Sequence, residues 1–555
     1  MKKIKLSEVP NYCNPFQHSL YNGNISKTVI EQQILKVLTE IKNKKNWNKK
    51  IKLQEIREKW KNEFLNRFEE NVVDYAIEEA LYYSDLFAEN LVPGAVDCTY
   101  IDGDSIEEGL LKELIENVAK IKDDPENQRD WHPENNSQLV NPINPSLYPI
   151  VFGRTRGLTK NVSSTKIPKW DSVIGKGEIE KVIPIKKETR YFSEKCQWLP
   201  TEFNVDATGK VKILSYINNL HPIIHEKMYD TLEKIFENFV PLFNNVLTDT
   251  CEQNNKHIKL RIDPGGYIFE EFQEYVNRIR KQEAHENGIE YVEVKAKDLD
   301  REIVREYYRT YGNNKIVKIP NPKFNPNDIP KNNIVVDLKG FRLQVIVKLS
   351  NIILTPEDPK YKGGVWHLEG MKNEEIVATG IYYYDQENIT DSYLAFRQHN
   401  VRVLYSGSLG EFHSVYKVKY GGSRDNCLGE IKTIENRMIC FPNIYQHKIE
   451  DFELKDKSKP GHRKILVFFL INPNKRIYST AHIPPQQLEW HEMELMKNKN
   501  KLSELPILII EEISKRLDWP MSLKEAKKHN KELMKERKHF AENENKLIGR
   551  MHFHN

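Results

Sequence analysis

In the stretch GGVWHLEGMKNEE, the imidazole of His367 and the carboxylate of Glu369 are separated by one residue. On an extended strand, residues i and i+2 project to the same face, so these two groups point together while Leu368 points away. An imidazole and a carboxylate side by side are two legs of a facial metal triad, which needs a distal histidine from a later strand as its third. His447, in RMICFPNIYQHKIEDF, is the best candidate, since it follows an apolar run and a Pro-Asn turn. The next apolar run, PGHRKILVFFLINP, brings Arg463, whose planar guanidinium suits bidentate recognition of a carboxylate. His-x-carboxylate, distal His and then Arg, in that order on successive strands, is the set expected for Fe(II) and 2-oxoglutarate. The metal takes the oxo-acid end and the arginine takes the far carboxylate.

Taken alone, H-x-E is a common coincidence in a chain with 17 histidines, and a surface His-Glu pair beside a core histidine is the plainer account of it. Only the ordered addition of His447 and Arg463 raises the pattern above that account. Other motifs read as structural. His491-Glu492 is not HExxH, because Leu495 stands where the second histidine belongs, and the PCxxC that would complete a zinc deaminase signature is absent. Arg154 and Arg156 suit structural ion pairs, Asn218 and Asn219 suit turns and caps beside His221, and DPGG from Asp263 is a turn. Trp131-His132-Pro133 has no partner at ligand spacing. In SLKEAKKHNKELMKERKHF near the C-terminus, a solvated helix face is the default.

Elements of two kinds must position the candidate site. The first hundred residues carry helical stripes: Ile30, Ile34, Val37, Leu38 and Ile41, then Leu53, Ile56, Trp60, Phe64 and Phe68. A Pro- and Asn-rich stretch (Asp123 to Pro149) follows, and Asp206 to Gly209 reads as a hairpin turn between two apolar runs. Ile224, Met228, Leu232, Ile235 and Phe239 predict a helix that Pro241 interrupts, and a charged helical stretch covers Phe269 to Tyr311. After a linker with Pro320, Pro322, Pro326 and Pro330 the period changes to two. In FRLQVIVKLSNIIL, Leu343, Val345, Val347 and Leu349 alternate with Gln344, Ile346 and Lys348, which predicts a half-buried strand. IVATGIYYYD, YLAFRQ, VRVLYS, RMICFP and RKILVFFLI continue at even spacing, as in a barrel or jelly roll.

Composition narrows the class. With 84 Lys+Arg against 80 Asp+Glu, the net charge of +4 excludes a strongly basic nucleic-acid wrapper and argues against nucleic acid as a partner. Hydrophobic residues at 39% supply a large core. Six cysteines (Cys13, Cys98, Cys196, Cys251, Cys427, Cys440) form no CxxC, so a reducing compartment fits better than a disulfide framework. MKKIKLSEVPNYCNPF has no apolar core for a secretory signal, and no run is long enough to span a bilayer. An intracellular site, cytoplasmic or nuclear, with no membrane, is the expectation. Oligomeric state is not readable.

Two resemblances add to this. The segment from His367 through ATGIYYYD resembles the prolyl-hydroxylase-type strand pair, in which a tyrosine sixteen residues after the first metal histidine helps hold the 2-oxoglutarate carboxylate; Tyr383 occupies that spacing. More broadly, the chain resembles a family of fungal proteins catalogued as a domain of unknown function. PSLYPIVFGRTR, QWLPTEF, SYINNLHP, WHLEGMKNEEIVATGIYYYDQENIT, FPNIYQHKIEDFELKDKSKPGHRKILVFFLINP and IPPQQ recur in order over roughly Asp130 to Gln487. The oxygenase resemblance implies that His367, Glu369 and His447 hold Fe(II). It also implies that Arg463 and Tyr383 bind 2-oxoglutarate, and that O2 and 2-oxoglutarate are consumed in a hydroxylation or demethylation. Two departures from that pattern are Glu369 in place of the commoner Asp, and the long charged loop from Asp451 to Gly461 before Arg463.

The expected fold is therefore α+β: a double-stranded β-helix (jelly-roll or cupin-like) core with an N-terminal helical extension and C-terminal helices. The divisions expected are a helical region over 1–125, a loop, strand and helix region over 126–312 packing on the core, the catalytic core over 334–490, and C-terminal helices over 491–555. The function expected is an Fe(II)/2-oxoglutarate-dependent oxygenase acting on a protein side chain or a small molecule. The alternative is a non-catalytic or 2-oxoglutarate-independent cupin-like metal-binding protein.

Overall fold

The computed structural model describes residues 26–86, 91–103, 105–123, 138–158, 191–254, 272–293, 301–311, 322–398, 426–497, 505–516 and 519–548, with short pieces between them. Thr28 caps the first helix, α1 (Val29–Lys42), by a reciprocal pair: its Oγ1 accepts from Glu31 N, and a Glu31 carboxylate oxygen accepts from Thr28 N, each at 3.3 Å. This satisfies two amide donors that a helix start leaves open. The predicted stripe from Ile30 to Ile41 is buried along its whole length. It packs on α2 (Gln54–Leu65) and α3 (Glu70–Leu86) through a shared core that includes Trp60, Phe64, Val72, Val73 and Ala76.

Of the elements that follow, the strands of the two main sheets and seven helices position the site. The strands are β1 (Leu91–Pro93), β2 (Tyr100–Asp102), β3 (Leu139–Ile143), β4 (Thr201–Val205), β5 (Val211–Ile213), β6 (Phe341–Leu354), β7 (Ile376–Glu387), β8 (Ser392–Gln398), β9 (Asn426–Thr433), β10 (Arg437–Pro442), β11 (Gln446–Ile449) and β12 (Gly461–Ile471). The helices are α4 (Glu108–Asp123), α5 (Glu226–Thr250), α6 (Phe272–Asn287), α7 (Arg301–Tyr311), α8 (Leu488–Lys497), α9 (Ile507–Lys515) and α10 (Leu523–Ile548). Nine strands form one antiparallel sheet in the order β5-β4-β6-β12-β7-β10-β2-β1, with β3 also paired to β6. A second sheet has the order β9-β8-β11. The β4–β5 hairpin turns where expected: Asp206 Oδ1 accepts from the Thr208 and Lys210 amides, and Gly209 takes φ +98°. VRVLYS lies outside the described residues.

Each face of the large sheet is covered. Val345, Val347 and Leu349 of β6, with Leu466 and Phe468 of β12, pack on Phe236, Phe239 and Phe243 of α5. On the opposite face, Ile346, Ile381, Tyr383, Val467 and Phe469 join Leu394 and Phe396 of β8 and Ile431 of β9 in a second core, so the small sheet lies across the large one. This corrects the expectation that β6 is half-buried. Ile346 and Gln344 are buried as fully as their neighbours, and the face carrying Lys348 looks into the space between the sheets.

Two helix expectations also change. α5 runs unbroken through Pro241. A proline inside a helix costs about 3 kcal/mol. Fully buried Phe236, Phe239 and Phe243 return roughly 1.5–3 kcal/mol each, so tertiary burial outweighs the local break. Ile224 precedes the helix and is exposed. The basic C-terminal segment is not simply solvated either, because α10 docks on the rest of the protein. Leu533 is buried, Arg154 pairs with Glu525 at 2.9 Å, Ser193 donates to Glu536 at 2.8 Å, and Asn545 donates to the Trp366 carbonyl at 3.1 Å. The Arg154 pair is the structural duty expected of that residue.

One ion pair ties β7 to β12. Asp385 accepts from His462 Nε2 at 2.9 Å and from Lys464. Burial would raise its carboxyl, but these two partners outweigh burial and hold it down at about 2, from an ordinary 3.8. A folded value below the unfolded one stabilises the protein above pH 4, and that stability disappears as pH falls towards 2. Asp385→Asn is expected to lose roughly 1–2 kcal/mol at neutral pH. In urea titrations the gap between variant and wild type should shrink between pH 4 and pH 2.

Candidate metal centre

An isolated antiparallel bridge builds the site. His367 N donates to His447 O at 3.2 Å, and His447 N donates to His367 O at 3.0 Å. A pair exchanging both bonds puts the two Cα atoms about 5.5 Å apart with side chains on one face. The rings accordingly lie 4.5 Å centroid to centroid. Glu369, two residues on from His367, reaches the same point: its Oε1 is 3.2 Å from His447 Nε2 and 3.8 Å from His367 Nε2. One ligand atom from each of the three residues falls within 4.8 Å of the other two, a spacing that could hold a metal ion.

The chain fixes these side chains from behind. His367 Nδ1 donates to the Val365 carbonyl at 2.8 Å, which leaves the Nε2 lone pair for a metal. Asn443, fully buried, accepts from Glu369 N at 2.9 Å and donates to the carbonyls of Glu369 and Ile376 at 3.0 and 3.1 Å. It therefore pins the segment carrying the carboxylate to the start of β7. Phe441 stands edge-on to His447 at 4.8 Å, and Phe396 lies at 6.3 Å, so apolar rings wall that side.

The electrostatics match a site prepared for a cation. Burial opposes the charge on Glu369, but its contacts with both histidines outweigh burial and keep the carboxyl well below its ordinary range. His367 is raised: burial pulls it down, and the hydrogen bond and charge of Glu369 more than compensate. His447 is lowered by burial and by the adjacent His367. An ionised carboxylate facing two imidazole nitrogens is a donor set suited to a divalent first-row metal.

Arg463 and Tyr383 point into the same interior from the large sheet. Arg463 lies on β12 opposite Ile352 and Gln386, and Tyr383 on β7 opposite Ile465. Arg463 is 1% exposed. Its Nη1 donates to Ser392 Oγ at 3.2 Å, while Nε and Nη2 have no hydrogen-bond partner. Phe452 and Tyr383 present ring faces to its guanidinium at 4.7 and 5.7 Å. Burial pushes the Tyr383 hydroxyl up to about 12, against the pull of Arg463. The guanidinium is not in contact with the triad. Ser392, which touches it, and Phe396, which pairs with His447, are four residues apart on β8.

Asn218, Asn219 and His491 are structural, while Trp131-His132-Pro133 and Pro264 to Gly266 lie outside the described residues. Asn218 and Asn219 donate to the carbonyls of Asn144, Leu147 and Tyr148, and His491 Nε2 donates to the Pro485 carbonyl. Sequence reasoning missed Asn443 as a positioning residue, although its Pro-Asn turn was visible. It also missed Lys348, whose only signal was a cation at an inward position of an otherwise apolar strand.

Residues 70–494 match the family described as "Protein of unknown function (DUF4246)", and residues 5–63 match "Domain of unknown function DUF4246, N-terminal". The chain belongs to the DUF4246 family. A search of curated proteins gives no match. Among solved structures, this DUF4246 chain is similar to the Fe(II)/(alpha)ketoglutarate-dependent dioxygenase TqaL at 12% identity and TM-score 0.17, over 25% of this chain and 44% of that one. It is also similar to IDO from Bacillus thuringiensis at 11% identity and TM-score 0.16, over 25% of this chain and 53% of that one. For a bsmA homolog from Methylobium petroleophilum the values are 12% and 0.14, over 23% of this chain and 42% of that one. The chain thus spans about half, or less, of each of these structures, and TM-scores this low carry no argument about fold or chemistry.

The three-residue set itself makes a measurable claim. Titration of the metal-free DUF4246 protein with Co(II) should show one site by calorimetry. His447→Ala should abolish it, and Asn443→Ala should weaken it about tenfold, the usual effect of losing a group that orients a ligand.

Proposed function

We propose that this protein is an Fe(II)/2-oxoglutarate-dependent oxygenase built on a double-stranded β-helix. The observation that carries the reading is Arg463: a guanidinium buried with two donor atoms unpartnered, facing the same interior as a His-Glu-His set. Leaving such a cation without an anion costs several kcal/mol, and a carboxylate is the group its unused donors would pair with.

Strand order supports the fold. Numbering β6 first, the His367 segment second and β7 to β12 third to eighth, the pairs first–eighth, second–seventh, third–sixth and fourth–fifth are all present. That is one long hairpin. The added pairs third–eighth and fourth–seventh are what winding it into a helix produces.

In this reading His367, Glu369 and His447 would hold the metal, and Arg463 with Tyr383 would hold the far carboxylate of 2-oxoglutarate. When bound, Fe(II) with 2-oxoglutarate and O2 supplies the oxidising power for C–H hydroxylation, with succinate and CO2 as co-products. The chain's own part is positional. Val365 sets the His367 tautomer, Asn443 steadies the Glu369 backbone, and the longer glutamate side chain extends from a segment held on both flanks. Tyr383, protonated at neutral pH, presents its ring to the guanidinium. Phe396, Phe441 and Phe452 restrict water around the two ends.

Purified protein given Fe(II) and 2-oxoglutarate in air should form succinate, and His367→Ala should form none; undiminished turnover in that variant would falsify the assignment. Arg463→Gln should raise the 2-oxoglutarate concentration at half-saturation by about tenfold or more, as expected for loss of a charge-assisted contact. Succinate formation that ignores this change would move the anchor elsewhere.

A further inference from the structure

The last helix meets the metal-ligand segments from outside the interior. In α10, Leu533, Glu536, Arg537 and Phe540 stand at i, i+3, i+4 and i+7, so one face of the helix carries all four. Leu533 is buried, Glu536 accepts from Ser193 Oγ at 2.8 Å, and Phe540 stands edge-on to Tyr191 at 5.9 Å. The guanidinium of Arg537 lies 3.7 Å from the centre of the Trp198 ring. This face is therefore seated on the segment from Tyr191 to Trp198. That segment in turn holds the chain just beyond Glu369. Tyr191 O accepts from Lys372 N at 3.0 Å, and Ser193 exchanges two bonds with the Asn373 side chain at 2.7 and 2.8 Å. Glu374 accepts from Trp198 N at 2.9 Å and from Met371 N, two residues past Glu369, at 2.6 Å. Arg537 completes the link directly, its Nη2 donating to Glu374 Oε1 at 2.6 Å.

Eight residues further along α10, about 12 Å at 1.5 Å per residue, Asn545 reaches the other flank. Its Nδ2 donates to the carbonyl of Trp366, the residue before His367, at 3.1 Å. Its Oδ1 accepts from Arg397 Nη2, and Arg397 Nε donates to Oε1 of Gln446, the residue before His447, at 2.7 Å. Arg397 also lies over the Trp366 ring at 4.7 Å. The side chains of Trp366 and Gln446 alternate with those of the histidines, so they lie on the opposite face of the His367–His447 bridge from the imidazoles. One asparagine thus joins the backbone beside one histidine to the side chain beside the other.

Two backbone hydrogen bonds are all that the isolated bridge itself contributes to the alignment of the imidazoles. Metal affinity depends on groups that fix the ligands from behind, and losing one such group costs tenfold to a hundredfold. We propose that the C-terminal helix is an outer brace of the metal centre, with Asn545 positioning both histidines and Arg537 positioning the segment that carries Glu369. The inference goes beyond the oxygenase reading, because it concerns the geometry of the metal whichever reaction the metal supports. It requires only that His367, Glu369 and His447 hold a metal. Coupling of this kind is reciprocal, so a helix that strengthens metal binding is itself held more firmly once the metal is bound.

The test uses full-length protein and Co(II), read by calorimetry, visible absorption and amide hydrogen exchange. Asn545→Ala should weaken Co(II) about tenfold and alter the intensity of its absorption bands, which report ligand geometry. Arg537→Gln, which breaks the charge-assisted link to Glu374, should also weaken it. Glu542→Ala, at an exposed position of the same helix, should leave affinity and spectrum as in the wild type. Saturating Co(II) should slow exchange of the amides over 537–548 about fivefold in the wild type and less in Asn545→Ala. A merely structural helix predicts a lower Tm for Asn545→Ala with wild-type Co(II) affinity and spectrum. That result, or exchange indifferent to Co(II), overturns the brace. Should Asn545→Ala fail to fold, Asn545→Asp keeps the acceptor for Arg397 and loses the donor to Trp366, and it must weaken Co(II) for the brace to stand. A brace that fails while the wild type binds Co(II) leaves the oxygenase reading intact. A wild type that binds no Co(II) overturns the metal centre and the brace together.

Discussion

Two backbone hydrogen bonds between His367 and His447 hold the chemistry of this molecule together. His447 lies in β11, which pairs with β8 along one edge, and its bridge to His367 stands isolated on the other edge. It nonetheless sets the angle at which two imidazoles and one carboxylate converge. The bridge can form only because β11 is already paired to β8 and the segment before β7 is tied back by Asn443. The ladder of β6, β12, β7 and β10 supplies the rigid floor beneath. Loss of register by one residue anywhere in that chain of pairings would turn His447 to the opposite face.

Buried charges sort into two kinds. Arg261 is fully buried and fully answered: its guanidinium meets the carboxylates of Glu79 and Asp97 at 2.7–2.8 Å. Glu202 is likewise surrounded, by Arg342, Arg476, Gln344 and Ser479. Both clusters lock elements together. Arg463, buried, and Lys348, half-buried, differ, since no described carboxylate lies within ion-pair distance of either. Buried polar groups are ordinarily paired, so cations left without a carboxylate mark a candidate functional place.

Much of this was legible in the residues. The strands β6, β7 and β12 and the stripe of α1 follow from where apolar side chains recur. The ordered set His367, Glu369, His447 and Arg463 also stood out, since its residue types and order carry their chemistry with them. Pro241 misled for the opposite reason: its penalty is local and small beside three buried phenylalanines that only the folded sheet brings near. The polar C-terminal helix misled because Arg537 packs by its flat face on Trp198, a contact no charge pattern announces.

The sequence by itself determined which side chains were available, which short segments would be strands or helices, and in what order the candidate ligands came. Only the tertiary structure decided that the second face of β6 is an interior rather than a surface, and so made Lys348 a cation between two sheets. It also decided that Asn443 would pin Glu369, and that Arg463 would be buried without a carboxylate partner. Pairing between residues far apart in the chain is a property of the whole wound hairpin. Local periodicity says which way a side chain points from its own strand, and the packing of the second sheet decides what it points into.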